Sequence, residues 1–217
     1  MLRAQAYGEA YYREHAEAGC DYAAYGDFER RYGRAVVDTF GWEGRTLLDV
    51  GCACGAQLRG IVHAGAFAGY GVDLNEHMIT LGRRQWGDEL RLSVCDAVDL
   101  HGFPDAVFDA VHSHQSAEHW RPQHVQFILT ELLRVTRPGG RLVVNLDTTE
   151  IEQSGARKDD SLEHDPTHVC IRPLSWWREH LVAAGWDDET DRWQTATLTI
   201  NEVMGQRAWA WFVGQRK

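Results

Sequence analysis

The chain has 217 residues, 44% of them hydrophobic and 25% charged, enough for one well-buried core and short for two. Its formal net charge of −10 excludes the basic footprint that nucleic acid requires. No apolar run nears the ~20 residues that span a bilayer, and Met1–Tyr7 lacks a charged-then-apolar leader pattern, so a cytoplasmic protein without a membrane partner is expected.

In chain order, residues 4–40 read as two helices, the second presenting Phe28, Tyr32, Val36 and Phe40 on one face. Thr46–Val50 reads as a first strand, followed at once by Gly51-Cys52-Ala53-Cys54-Gly55 and a helix carrying Leu58, Ile61 and Val62 that stops at Gly65. A second strand covers Tyr70–Leu74. Asn75 then suits the N-cap of a helix bearing Met78, Ile79 and Leu81 and ending near Gly87. Leu90–Cys95 and Phe108–His114 read as strands three and four. Val125, Ile128, Leu129, Leu132 and Leu133 give the clearest helix, with Pro122 near its first turn and Pro138-Gly139-Gly140 as its stop. Arg141–Asp147 reads as strand five. The polar stretch 148–171 is too long for an idle connection. A helix over 175–184 follows, then strand-like runs at Trp193–Ile200 and Arg207–Val213. Short apolar runs alternating with helical patterns indicate a parallel sheet with helices on both faces.

The chemistry begins at the glycine turn. A tight Gly-rich connection lets the backbone pass close to a ligand, and the helix beginning there favours anionic groups. Asp73, 22 residues after Gly51, ends the next strand, where an acid accepts hydrogen bonds from ribose hydroxyls. Together they indicate an adenosine-containing cofactor. The turn is Gly-x-x-x-Gly and lacks the Gly-x-Gly-x-x-Gly fingerprint of a dinucleotide site.

Leu47-Leu48-Asp49-Val50-Gly51-Cys52-Ala53-Cys54-Gly55 resembles the first motif of the class I S-adenosylmethionine-dependent methyltransferases, with Ala53 where the family usually has a central glycine. Tyr70–Leu74, Cys95-Asp96-Ala97, Phe108–Val111 with Ala117-Glu118-His119, and Glu131 through Gly140 resemble four further motifs, in order, over about residues 46–147. The resemblance implies a Rossmann-like, doubly wound α/β fold in one domain: a seven-stranded, mostly parallel sheet with an antiparallel last strand. Residues 1–45 would form a helical lid, and 46–217 the methyltransferase core with an acceptor-site insertion at about 148–171. It also implies S-adenosylmethionine as cofactor and a small-molecule acceptor, methylated at a hydroxyl or an amine, such as a sugar or secondary-metabolite intermediate. Asp49 would support the turn and orient the cofactor's amino group. Gly51, Cys52 and Gly55 would line its methionine portion. Asp73 would bind the ribose, with Leu74 and Met78 beside sugar and adenine, Asp96 and Ala97 at the adenine edge, and His114 and Gln115 near the methyl.

For a hydroxyl acceptor a proton must also leave, and histidine is the side chain matched to neutral pH. Of eleven histidines, His168 within Glu163-His164-Asp165-Pro166-Thr167-His168-Val169 is the first choice and His119 the second, with Asp165 or Glu163 able to orient an imidazole. His112 alternates with His114 on strand four and reads as core. Asp147, Glu150, His164, Asp165 and His168 share no fixed ligand spacing, and no metal is expected from them. The N-terminal tyrosines Tyr7, Tyr11 and Tyr12 suit a lid, and the later tryptophans suit core packing. Two other readings keep the fold and change the activity: a non-methylating step such as a cyclisation, or a non-catalytic partner of a larger synthase.

Overall fold

The computed structural model describes residues 10–13, 25–150, 165–205 and 209–217. Strands Thr46–Val50 (β1), Ala68–Asp73 (β2), Arg91–Val94 (β3), Phe108–His114 (β4), Thr136–Leu146 (β5), Asp187–Asp188 (β6) and Ala210–Gln215 (β7) form one sheet in the order β3-β2-β1-β4-β5-β7-β6. Neighbours from β3 to β5 run parallel, and β7 is antiparallel to both β5 and β6. The order reverses between β1 and β4. Open α/β sheets place ligands outside the carboxyl ends of their strands at such a point.

Six helices are described in full: Asp27–Phe40 (α1), Ala56–His63 (α2), Glu76–Trp86 (α3), Pro122–Val135 (α4), Leu174–Ala183 (α5) and Thr190–Met204 (α6). Tyr32, Val36, Val37 and Phe40 of α1 and Ile200 and Met204 of α6 pack on Leu47, Ala110, Val143 and Val213 on one face of the sheet. Val125, Ile128, Leu129 and Leu132 of α4, with Trp177 and Leu181 of α5, cover Leu48, Val111, Leu142, Val144 and Phe212 on the other. Each such side chain contributes roughly 1.5–3 kcal/mol when fully buried. Two glycines bring α1 against α2 backbone to backbone: a Cβ on Gly33 would lie 2.1 Å from the Gly60 carbonyl.

Asn75 caps α3 as its residue type predicts, its Oδ1 accepting the Met78 N–H at 2.9 Å. Pro138-Gly139-Gly140 sits inside β5 as an irregularity. Register passes from Phe108↔Thr136 to Ala110↔Arg141, so Arg137–Gly140 bulges out where Gly139 takes φ +78°.

One expected strand is a helix. Trp193–Ile200 alternates apolar and polar residues and is rich in threonine, which reads as a strand. The structure winds it into α6, whose buried residues Thr197, Ile200, Asn201 and Met204 follow a helical spacing. Asp188 Oδ1 accepts the Thr190 N–H at 2.9 Å at its start, and Gly205 ends it at φ +69°. The sixth strand in the chain is instead the two residues Asp187–Asp188 at the sheet's edge, too short for a periodicity to register.

Candidate active site

The turn after β1 is shaped by backbone geometry. Gly51 and Gly55 hold φ of +76° and +84°, and Ala53 between them holds +48°, a left-handed conformation that strains an alanine. A Cβ at Gly51 would fall 1.8 Å from Ser116 Oγ, so the segment after β4 runs directly across the turn. Asp73 closes the turn from the other side: its Oδ2 accepts the Ala53 N–H and its Oδ1 the Asn75 N–H, both at 2.8 Å. Burial pushes the Asp73 carboxyl upward, against the opposing pull of these N–H groups.

The other cofactor residues of the sequence reading fall around this edge. Cys52 is buried beside Gly71, its thiol pushed well up by burial and by Asp73. Leu74 is half-buried. Met78 is buried against Cys54 and Ala56, beneath the turn. Asp96, half-buried after β3, turns the backbone there by accepting the Val98 N–H at 3.1 Å, and Ala97 packs against the core.

Asp49 has a partner that sequence reasoning missed. It is 3% exposed, and the His112 Nδ1–H donates to its Oδ1 at 2.8 Å. His112 Nε2 in turn accepts the Tyr32 hydroxyl at 2.7 Å. His112 is thus core, as its strand parity indicates, but a polar core residue tying α1 to the first motif. Only the fold could supply this chain, because Tyr32 and His112 lie 80 residues apart.

At the end of β4, the His114 ring lies 4.6 Å from Tyr32 and 4.8 Å from Trp209. Burial, assisted by His112, holds His114 well below the usual histidine range, so it is neutral at pH 7. Gln115 takes φ +47°, with its N–H on the Asn145 carbonyl and its side-chain amide on Asn145 Oδ1, both at 2.8 Å. His114 Nδ1 and Asn145 Nδ2, on adjacent strands in register, are buried without a hydrogen-bond partner among the described residues. A bound ligand or water would complete the bonding of such buried polar atoms. Together with the open turn and Asp73, they fit a cofactor carrying an amino acid and a nucleoside.

Past Ser116 the chain reaches Glu118 and His119. His168, from the far side of the 148–171 segment, meets His119 edge to face with ring centroids 4.7 Å apart. His168 Nδ1 lies 3.9 Å from Asp147 at the end of β5, and its Nε2 lies 3.7 Å from Asp165. The two histidines singled out from sequence therefore meet. Thr167 organises them: its hydroxyl donates to Asp165 Oδ1 and accepts from His119 Nδ1 at 3.0 Å. Tyr11 donates to Asp165 Oδ2 at 2.9 Å. Burial alone would raise the Asp165 carboxyl, but the Thr167 and Tyr11 bonds and His168 outweigh it and hold it below the usual range. Of the five ligand candidates named from sequence, Asp147, Asp165 and His168 come together here. Glu150 instead accepts the Leu174 N–H at the start of α5. Tyr7, Glu163 and His164 lie outside the described residues.

A β3-β2-β1-β4-β5-β7-β6 sheet with a glycine turn after β1 and an acid after β2 defines a Rossmann-like, nucleoside-cofactor-binding enzyme. Residues 48–144 match the family described as a methyltransferase domain. An O-methyltransferase of Penicillium expansum, cnsE, is 33% identical over 110 residues, 47% of this chain and 38% of that protein. The 2-methyl-6-phytyl-1,4-hydroquinone methyltransferase of Synechocystis is 34% identical over 103 residues, 46% of this chain and 31% of its own. The chain spans about a third of the length of such relatives. A crystal structure of an S-adenosylmethionine-dependent methyltransferase from Mesorhizobium loti superposes with a TM-score of 0.60 at 21% identity, covering 81% of this chain and 92% of that one, a likeness of fold. These matches support a class I S-adenosylmethionine-dependent methyltransferase over residues 48–144, with S-adenosylmethionine as cofactor.

Proposed function

We propose that this chain methylates a small-molecule acceptor, most readily at a hydroxyl oxygen. The observation that carries the reading is the cluster of Glu118, His119, Asp147, Asp165 and His168. Ser116, packed on Gly51, sets this cluster beside the cofactor turn. When bound, the cofactor supplies a methyl group already activated on a sulfonium. The protein's work is then positioning and proton removal. Asp73 and the backbone of the turn would hold the nucleoside end, and His114 and Asn145 would complete their bonding on the ligand. His114, kept neutral by burial, orients rather than takes a proton. The acceptor's proton would leave at the His119–His168 pair, with the carboxylates at 3.7 and 3.9 Å stabilising positive charge there. Residues 1–45 would act as the lid. Tyr11 reaching Asp165 and Tyr32 reaching His112 and His114 support that role.

Incubation with S-adenosylmethionine and a panel of phenolic, sugar and amine acceptors should release S-adenosylhomocysteine with one methyl added per turnover. His168→Ala should lower turnover by ~10²–10⁴-fold, the usual contribution of a group that removes a proton, and leave cofactor affinity unchanged by calorimetry. Cofactor binding with no transfer to any acceptor class, and rearranged acceptor instead, would show that the fold serves a non-methylating step. Full activity in His168→Ala would move the proton acceptor to His119.

A further inference from the structure

We propose that Glu118, His119 and His168 form a binding site for one divalent first-row metal ion of the zinc type. The proposal rests on the reading of this cluster as the acceptor end of the site. The ligand atoms of the three residues lie within 4.8 Å of one another, so small side-chain rotations bring them around a single ion. Two imidazoles and one carboxylate are a donor set for zinc, cobalt, iron or manganese rather than for magnesium or calcium, which prefer all-oxygen sites.

The surroundings have the form that metal-binding histidines require. A ligating imidazole donates its second N–H to a carbonyl or carboxylate, which fixes its tautomer and ring plane. Thr167 does this for His119: its hydroxyl proton is committed to Asp165, so its oxygen accepts from His119 Nδ1, as does its backbone carbonyl at 3.2 Å. That places the proton on Nδ1 and the lone pair on Nε2. His168 has a carboxylate on each side, Asp147 near Nδ1 and Asp165 near Nε2. Whichever of its nitrogens faces the ion, the other faces an aspartate. Glu118 is 1% exposed, and the Asp147 and Asp165 side chains are 2% and 3% exposed. Glu118 in the ligand set, with Asp147 and Asp165 beside His168, puts negative charge around the histidine pair, which favours a dipositive ion there.

An acceptor hydroxyl on such an ion loses its proton near neutral pH, because the ion stabilises the alkoxide or phenoxide left behind. With the pair's lone pairs on the ion, the proton would pass to solvent instead of to a histidine: the O–H bond breaks, the oxygen keeps the electron pair and bonds the methyl carbon, and the S–CH₃ bond breaks with its pair left on sulfur, releasing S-adenosylhomocysteine. His168 is then a ligand, and its loss removes activity through loss of the ion.

The test uses the full chain, stripped with chelator and titrated with Zn²⁺ by calorimetry and with Co²⁺ followed by its visible absorption. One ion per chain is expected. Glu118→Gln, His119→Ala and His168→Ala should each weaken uptake by more than the ~10–100-fold expected for Asp147→Asn, the usual range for a residue that only orients a ligand. His63→Ala and His101→Ala, which remove imidazoles paired with Glu89 and Asp99 on the surface, should leave uptake unchanged. S-adenosylhomocysteine affinity equal to that of the parent chain reports that each variant is folded; where an alanine variant fails this, the glutamine variant replaces it. No uptake of either ion, or uptake unchanged in the His119→Ala/His168→Ala double variant, overturns the site. Methyl transfer that survives chelation, in a chain that takes up no ion, removes the ion while leaving the methyltransferase reading standing.

Discussion

Ala53 sits at φ +48° where the two neighbouring turn residues of the same hand, Gly51 and Gly55, are glycines. A left-handed alanine costs roughly 1–2 kcal/mol, and a glycine there would return about half of that through the greater freedom of the unfolded chain. Ala53→Gly is therefore expected to raise stability by about 0.5–1 kcal/mol, read as a higher urea midpoint with unchanged slope. A lower midpoint would mean that the alanine methyl packs usefully in the turn. Gln115, at φ +47°, is the second strained residue of the site, and its paired bonds to Asn145 hold it there. Such strain persists only where the surroundings over-determine it, and it gathers where ligands are held. Both residues border the edge of the sheet at which cofactor binding is proposed.

At the scale of elements, the contact between α1 and α2 decides whether the N-terminal helix can reach the site at all. Gly33 meets the Gly60 carbonyl, and a Cβ on Gly60 would in turn lie 2.1 Å from the Glu29 carbonyl. Neither neighbour is a flexible side chain that could move aside. Gly33→Ala should cost at least the 1–3 kcal/mol usual for overpacking. It should also displace Tyr32 from His112, since both depend on the same helix position. Thermal unfolding measures the first effect. Weaker S-adenosylhomocysteine binding measures the second, and a variant with parent-like stability and affinity would contradict the close approach. The 148–171 segment is tied down at its described end in a similar way: the Cys170 N–H donates to the Glu118 carbonyl at 2.9 Å, and Thr148 bridges to Arg172. His168 is positioned by those backbone links.

For the whole molecule, acid should be destabilising. Burial alone would raise Asp109, Asp188, Glu189 and Asp165, but hydrogen bonds and charged partners outweigh it: Thr46 and Arg137 for Asp109, Thr190 and Arg178 for Asp188, and Trp193 and Arg141 for Glu189. Glu131 is lowered chiefly by Arg134. A carboxyl lowered on folding contributes stability that is present above its unfolded value and is lost as pH falls through the folded one. Asp73, raised by burial, acts in the opposite sense, favouring the fold as pH falls. With Glu89 and Asp99 also lowered, seven carboxyls among the described residues stand against one, and unfolding free energy should drop steadily from about pH 5 downward, as urea titrations at pH 7, 5 and 4 would register. Stability flat across that range would contradict the pairing. Among the described residues, no helix is long and apolar enough to cross a membrane.

The parallel sheet, the glycine turn, the acid closing β2 and the α4 helix are legible in the sequence, because each is a local pattern: a periodicity, a spacing or a residue type at an element's end. Trp193–Ile200 was not, because its alternation fits a strand while burial against α1 and β7 makes it a helix, and tertiary packing overrides local propensity. The Tyr32–His112–Asp49 chain and the meeting of Glu118 and His119 with His168 were likewise decided only by the fold. A sequence can specify that a histidine is present and polar. Which carboxylate faces it depends on strand register and on a chain crossing made tens of residues away, and those are properties of the packed sheet.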